Sequence, residues 1–158
     1  MGVLLATFAA AFVLSGPVSA TPAKEAPWLP EAAAYRLTLF LGNLAPLPWG
    51  DVEAAWSEPY RGSEFSTGAL AWLEGESGVD TDPLLDAIAG EDRQMVFAEA
   101  TRLIARRIEE ELDRAVAAET PAIVQQAVRT ARGLYRAFED GIAAADPDAA
   151  RRLGLAWL

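Results

Sequence analysis

The chain has 158 residues, 13 of them basic and 23 acidic, for a net charge of −10, and it contains neither His nor Cys. That charge argues against nucleic acid and against electrostatic docking on an anionic membrane, and it favours cationic partners or metal ions. Without His and Cys there is no Ser-His-Asp triad, no HExxH zinc site, no thiol redox couple and no disulfide framework.

Residues 1–20, MGVLLATFAAAFVLSGPVSA, carry no charged side chain and hold an apolar run from Val3 to Leu14. After it come Ser15-Gly16-Pro17 and the small-x-small pattern Val18-Ser19-Ala20. Twelve apolar residues rise about 18 Å as a helix, short of a bilayer core of about 30 Å. The segment therefore reads as a signal peptide, with no transmembrane helix remaining after its cleavage. Twelve of the thirteen basic residues are Arg and Ala is abundant, a bias of GC-rich bacterial genomes, so the expected location is periplasmic or secreted.

Residues 21–158 are expected to form one domain, with 21–30 (TPAKEAPWLP) as an extended leader. A helix is predicted over Glu31 to Leu44, with Leu37, Phe40, Leu41 and Leu44 inward at i, i+3, i+4, i+7. Asp51 is expected to cap a short helix with Val52, Ala55 and Trp56 on one face, ended by Pro59. Ser63 is expected to cap the next, with Phe65, Ala69, Trp72 and Leu73 as its stripe. Asp82-Pro83 places a cap and a first-turn proline before a short helix ending at Gly90. The longest helix is predicted over Glu91 to Ala118, with Val96, Ala100, Leu103, Ile104, Ile108, Leu112, Ala115 and Val116 on its inner face. Its Arg106/Glu110, Arg107/Glu111 and Glu110/Arg114 pairs are assigned to the outer face. Thr120-Pro121 opens another helix with Ile123, Val124, Ala127, Val128, Ala131, Leu134, Tyr135, Phe138 and Ile142 inward. A last helix follows Asp146-Pro147, with Leu153 and Trp157 inward. No useful stretch alternates with period two. The fold class is all-α: an antiparallel helical bundle of about four main helices plus short ones.

Four groups of residues are candidates for function. The acidic turn with Glu74, Glu76 and Asp80 offers oxygen ligands for a hard divalent cation, although the EF-hand order is not met. The carboxylates Glu109, Glu110, Glu111 and Asp113 read as a solvated, salt-bridged helix face. Trp49 and Tyr60 beside turns, with Arg61 nearby, could line a ligand groove, while Trp56 and Trp72 read as core. The apolar end Leu155, Trp157 and Leu158 is a candidate docking surface for a partner protein of the cell envelope.

Near the C-terminus, Tyr135-x-x-Phe138-Glu139, followed by Ala144-x-Asp146-Pro147, resembles helical segments in the periplasmic domains of bacterial iron-uptake systems, imelysin-like or iron-permease-associated. The resemblance covers about twenty residues, and the His-containing and R-E-x-x-E metal motifs of those systems are absent. It implies an iron or other divalent cation, with Glu139 and its neighbour Asp140 as the residues to carry it. The overall expectation is an exported, non-catalytic helical protein that binds a partner protein or a small ligand, with carboxylate metal binding as a sub-case. The alternatives are a carboxylate-based enzyme acting on a glycan, with Glu58 and Glu64 as its pair, or a structural component of an envelope complex.

Overall fold

The computed structural model describes residues 29–60, 66–145, 147–148 and 151–152. Residues 1–20, the leader up to Trp28, Arg61, Ser63, Phe65, Leu153 and the C-terminal Leu155, Trp157 and Leu158 lie outside the described residues. Among the described residues there are six helices and no strand: α1 (Pro30–Leu41), α2 (Trp49–Ser57), α3 (Ala69–Glu76), α4 (Asp82–Ala89), α5 (Arg93–Ala117) and α6 (Pro121–Ala145). The all-α bundle is as expected from the periodicity. Two helices of 25 residues dominate it and four of 8 to 12 residues pack around them. No described helix is long and apolar enough to cross a membrane.

Helices α5 and α6 form an antiparallel pair joined by a three-residue turn, and α1 packs on both of them. Helices α2 and α3 pack on α1, and α4 packs on α5 and α2. The core runs through Val52, Trp56, Leu73, Leu84, Val96, Leu103, Ile104 and Leu134, each at most 1% exposed. Between α1 and α2 the buried Trp56 Nε1–H donates to Thr38 Oγ1 at 2.8 Å, and Thr38 donates in turn to the Ala34 carbonyl at 2.9 Å. The indole is thereby satisfied inside the core, as a buried Trp requires.

The start signals fall within a residue or so of their predicted places for α4, α5 and α6 but not for α2 and α3, where α3 begins after Gly68 rather than at Ser63. Asp92 caps α5, its carboxylate accepting from Met95 N–H. On α4 the cap is Thr81, one residue earlier than predicted, so Asp82 and Pro83 fill the first two helical positions. Helix α2 begins at Trp49, with Asp51 inside its first turn rather than capping it.

The buried faces differ more. On α1 the inward line is Glu31, Ala34, Tyr35, Thr38 and Leu41, whereas Phe40 is 64% and Leu44 44% exposed. The Ala-rich side packs inward because three consecutive small residues, Ala32, Ala33 and Ala34, permit close approach to the other helices. On α5, Val96, Ala100, Leu103 and Ile104 are buried as predicted, but Leu112 is 39% and Val116 88% exposed. Each i, i+4 step turns about 40° beyond a full revolution, so five such steps from Val96 to Val116 rotate the apolar line by about 200°. It ends on the opposite side of the helix. The positions that stay inward are 107 and 111, occupied by Arg107 and Glu111. On α6, Ala127, Ala131, Leu134 and Tyr135 are buried as expected, with Ile123 and Val128 at the margin.

Two glycines test this packing. A Cβ on Gly68, at the start of α3, would overlap the Ser57 carbonyl, whereas one on Gly133, inside α6, would meet nothing within 4 Å. Gly68→Ala is expected to destabilise by about 1–3 kcal/mol and Gly133→Ala to stabilise by about 0.5–1 kcal/mol, each read from urea unfolding. Equal effects of the two substitutions would contradict the arrangement of α2 against α3.

Candidate functional site

A buried ionic cluster joins α1 to α5. Glu31, in the first turn of α1, is fully buried, and Arg107 and Glu111 are 6% and 4% exposed. The Arg107 guanidinium donates to Glu111 Oε1 at 3.0 Å and to Glu110 Oε2 at 3.1 Å, and its Nε lies 3.6 Å from Glu31 Oε1. Arg114, half exposed at the rim, reaches Glu111 Oε2 at 3.6 Å. One buried guanidinium thus faces three carboxylates. Burial holds the Glu31 carboxyl above its ordinary value, more strongly than its own backbone N–H, Arg107 and the indole of Trp72 together pull it down. Burial pushes the opposite way on Arg107, but Glu110, Glu31 and Glu111 outweigh it and its pKa rises. The sequence reading placed Arg107 and Glu111 on a solvated face. The structure corrects that, since the inner line of α5 runs through both. The group is enclosed and its chemistry is structural: it fixes the start of α1 against the middle of α5.

The accessible candidate lies between α2 and α4, in a cleft of about 410 Å³ lined by Trp49, Gly50 and Glu53 from α2 and Leu85, Asp86, Ile88 and Ala89 from α4, with Glu91 from the turn that follows. Trp49 is half-buried against the core, while Glu53, Asp86 and Glu91 are exposed. No basic side chain is among the lining residues. Glu91 sits in the left-handed region, with φ 51°. Its N–H donates to the Ile88 carbonyl and the Asp92 N–H to the Ala87 carbonyl, both at 3.0 Å, which is the paired closure that ends many helices. Glycine is usual at this position; here a glutamate is held there and contributes to the cleft.

The other predicted site residues are dispersed. Tyr60 is 51% exposed and lines a separate cleft of about 340 Å³ with Ala33, Arg36 and Leu37, so Trp49 and Tyr60 do not share one groove. Glu74 accepts from Thr81 Oγ1 at 2.7 Å, and Asp80 Oδ1 accepts from Asp82 N–H at 3.1 Å, so both carboxylates brace the turn into α4. The side chains of Glu76 and Asp140 lie outside the described residues, and Glu139 is exposed near the end of α6. Among the described residues no three His, Cys, Asp or Glu side chains converge to hold a metal ion. Glu58 is exposed after α2, and Glu64 lies outside the described residues.

Glu53 and Glu91 carried no signal in the sequence, and Asp86 read only as a neighbour of the acidic turn, because only the packing of α2 on α4 assembles the three. Glu31 carried one faint mark, a charge opening an otherwise Ala-rich turn. No protein-family model matches the chain, and no curated protein or solved structure matches it.

The cluster has a pH consequence. Because the folded-state pKa of Glu31 is raised above 4.5, the folded protein holds this proton more tightly than the unfolded chain does. The stability this contributes is complete below about pH 4.5 and is lost as pH rises through the raised folded value. Glu31→Gln is expected to abolish that loss, so the stability difference between the variant and the native chain should grow in the variant's favour as pH rises across the window. Arg107→Met, which strands Glu31 and Glu111 without their cation, is expected to cost about 3–5 kcal/mol at neutral pH and less in acid. Urea titrations at stepped pH check both.

Proposed function

We propose that the chain is an exported, non-catalytic helical protein that binds a cationic group, a Lys or Arg side chain of a partner or a small organic amine, in the cleft between α2 and α4. The observation that carries this reading is the composition of the cleft. An indole lies beside Glu53, Asp86 and Glu91 with no basic side chain among the lining residues. A cation is attracted to the face of Trp and to surrounding carboxylates, and a volume of about 410 Å³ suits one side chain or a small amine. The net charge of −10 adds long-range attraction for such a ligand. Export rests on the apolar, cleavable pattern of residues 1–20. The absence of His and Cys from the sequence supports binding over catalysis.

Glu91 adds a second line of support. A non-glycine residue with positive φ is strained, and such strain is often found at functional positions. Replacing it with glycine separates stability from binding. Glu91→Gly is expected to stabilise the fold by about 1 kcal/mol, by removing the left-handed strain. The same change should weaken spermidine or a Lys/Arg-containing peptide roughly tenfold, a loss of about 1.4 kcal/mol. The Trp49 indole N–H resonance, followed through the titration, reports binding. A Trp49 signal that never moves with either ligand, or an affinity unchanged in Glu91→Gly, would overturn the reading.

A further inference from the structure

The buried ionic cluster holds its members unequally, and the weakest hold falls on Glu31. Arg107, Glu110, Glu111 and Arg114 all belong to α5 and pair along it at i, i+3 and i+4, without help from another helix. Glu31 is the one member that α1 supplies among the described residues, and it is fully buried. Its Oε1 stands 3.6 Å from Arg107 Nε, an ion-pair distance beyond the reach of a hydrogen bond. Neither of its carboxyl oxygens makes a hydrogen bond of normal geometry, although its own N–H and the Trp72 indole of α3 act on it. The other cations of the group, Arg106 on Glu110 and Arg114 on Glu111, are exposed. Glu31 thus has one buried cation and shares it with two carboxylates. The charged side chains described on α2, α3 and α6, the other helices packed on α1, are all exposed.

The turn that carries Glu31 is lightly held. Leu29 precedes it and offers no side-chain cap, and the Ala33 N–H closes it on the Leu29 carbonyl at 3.0 Å. Residues 30–34 are Pro, Glu and three Ala, so Glu31 is the only polar side chain that ties them to other helices. Farther along, α1 is fastened repeatedly. Tyr35 meets Thr101 of α5 at 3.2 Å, and Arg36 donates to the Arg136 carbonyl of α6 at 2.7 Å. Trp56 donates to Thr38 at 2.8 Å, and Arg93 to the Gly42 carbonyl at 2.6 Å. None of these bonds involves residues 30–34.

From this arrangement we infer that Glu31 is a proton-operated latch on the first turn of α1. With the carboxyl neutral, residues 30–34 stay docked on α3 and α5; on its ionisation they lift, while Tyr35 to Gly42 stay in place. A buried carboxylate without hydrogen bonds is costly, and reaching water relieves that cost. Lifting gives up little in return. It opens one uncapped turn and uncovers Ala side chains, which carry little apolar surface. Arg107 keeps Glu110 and Glu111, so α5 is undisturbed. The raised pKa of Glu31 agrees with this, since the docked turn holds the proton. The device works inside the folded protein, as a local opening distinct from loss of the whole bundle. Ala33 also walls the cleft that contains Arg36, Leu37 and Tyr60, so the latch sets one side of that cleft.

Amide hydrogen exchange of the full chain, followed by NMR at stepped pH and corrected for the intrinsic rate, tests the latch. The Ala33 and Ala34 amides are expected to lose protection about tenfold for each pH unit between 4.5 and the raised folded value. Their exchange should be nearly indifferent to low urea, because a local opening exposes little surface. The amides of Leu39 to Leu41 should stay better protected at every pH. In Glu31→Gln the pH dependence at Ala33 and Ala34 is expected to vanish. The Trp72 indole N–H resonance of the native chain gives a reading that needs no variant, and it is expected to titrate over the same range. Three results would overturn the inference: protection at Ala33 and Ala34 that is flat with pH, a pH dependence that survives in Glu31→Gln, or exchange as sensitive to urea as global unfolding. A Trp72 resonance that does not move with pH would do the same. Neither readout involves the cleft between α2 and α4, so the Trp49 titration stands or falls separately.

Discussion

The guanidinium of Arg107, the one buried among the described residues, is the constraint around which this bundle is arranged. It lies on α5 and faces Glu31 from the first turn of α1, and Glu110 and Glu111 from its own helix. Removing charges from water costs several kcal/mol for each ion, and only good geometry and mutual attraction offset that cost. The cluster offsets it unevenly. Glu111 is held at 3.0 Å and Glu110 is partly solvated, while Glu31 stands 3.6 Å away and accepts a raised pKa instead. What the cluster gains is position: Glu31 on Arg107 fixes the start of α1 against α5, alongside Tyr35 on Thr101 at 3.2 Å and Arg93 on the Gly42 carbonyl at 2.6 Å farther along. Since α2 and α3 pack on α1, and α6 packs on both α1 and α5, the α1–α5 contacts bear on the relative placement of most of the helices.

Much of this architecture was legible in the sequence, and the reasons for the rest are specific. Helix identities followed from stop and start chemistry: Pro83 and Pro121 in first turns, and Gly90 after α4. Rotations about the helix axes were less legible. Hydropathy weights large side chains, so the α1 reading favoured Phe40 and Leu44 over Ala32, Ala33 and Ala34, although small residues allow the closest approach between helices. On α5 the apolar residues recur with the four-residue step, which drifts, while the inward direction does not. An Arg and a Glu at the inward positions look solvated unless their partner, 76 residues away in sequence at Glu31, is known. Trp49 could be singled out from its place beside the turn-forming prolines. Its three acidic neighbours in the cleft could not, since they come from α2, α4 and the turn after α4.

The same drift links the interior to the surface. If Arg107 and Glu111 occupy the inner line, Leu112 and Val116 must stand on the outer one, because residues five apart on a helix differ by about 140°. The exposed apolar pair is therefore not an independent flaw in the packing; it follows from placing an ionic cluster where a fully apolar stripe would otherwise lie. A chain without disulfides that uses polar residues to fix its interior leaves apolar residues free for its exterior.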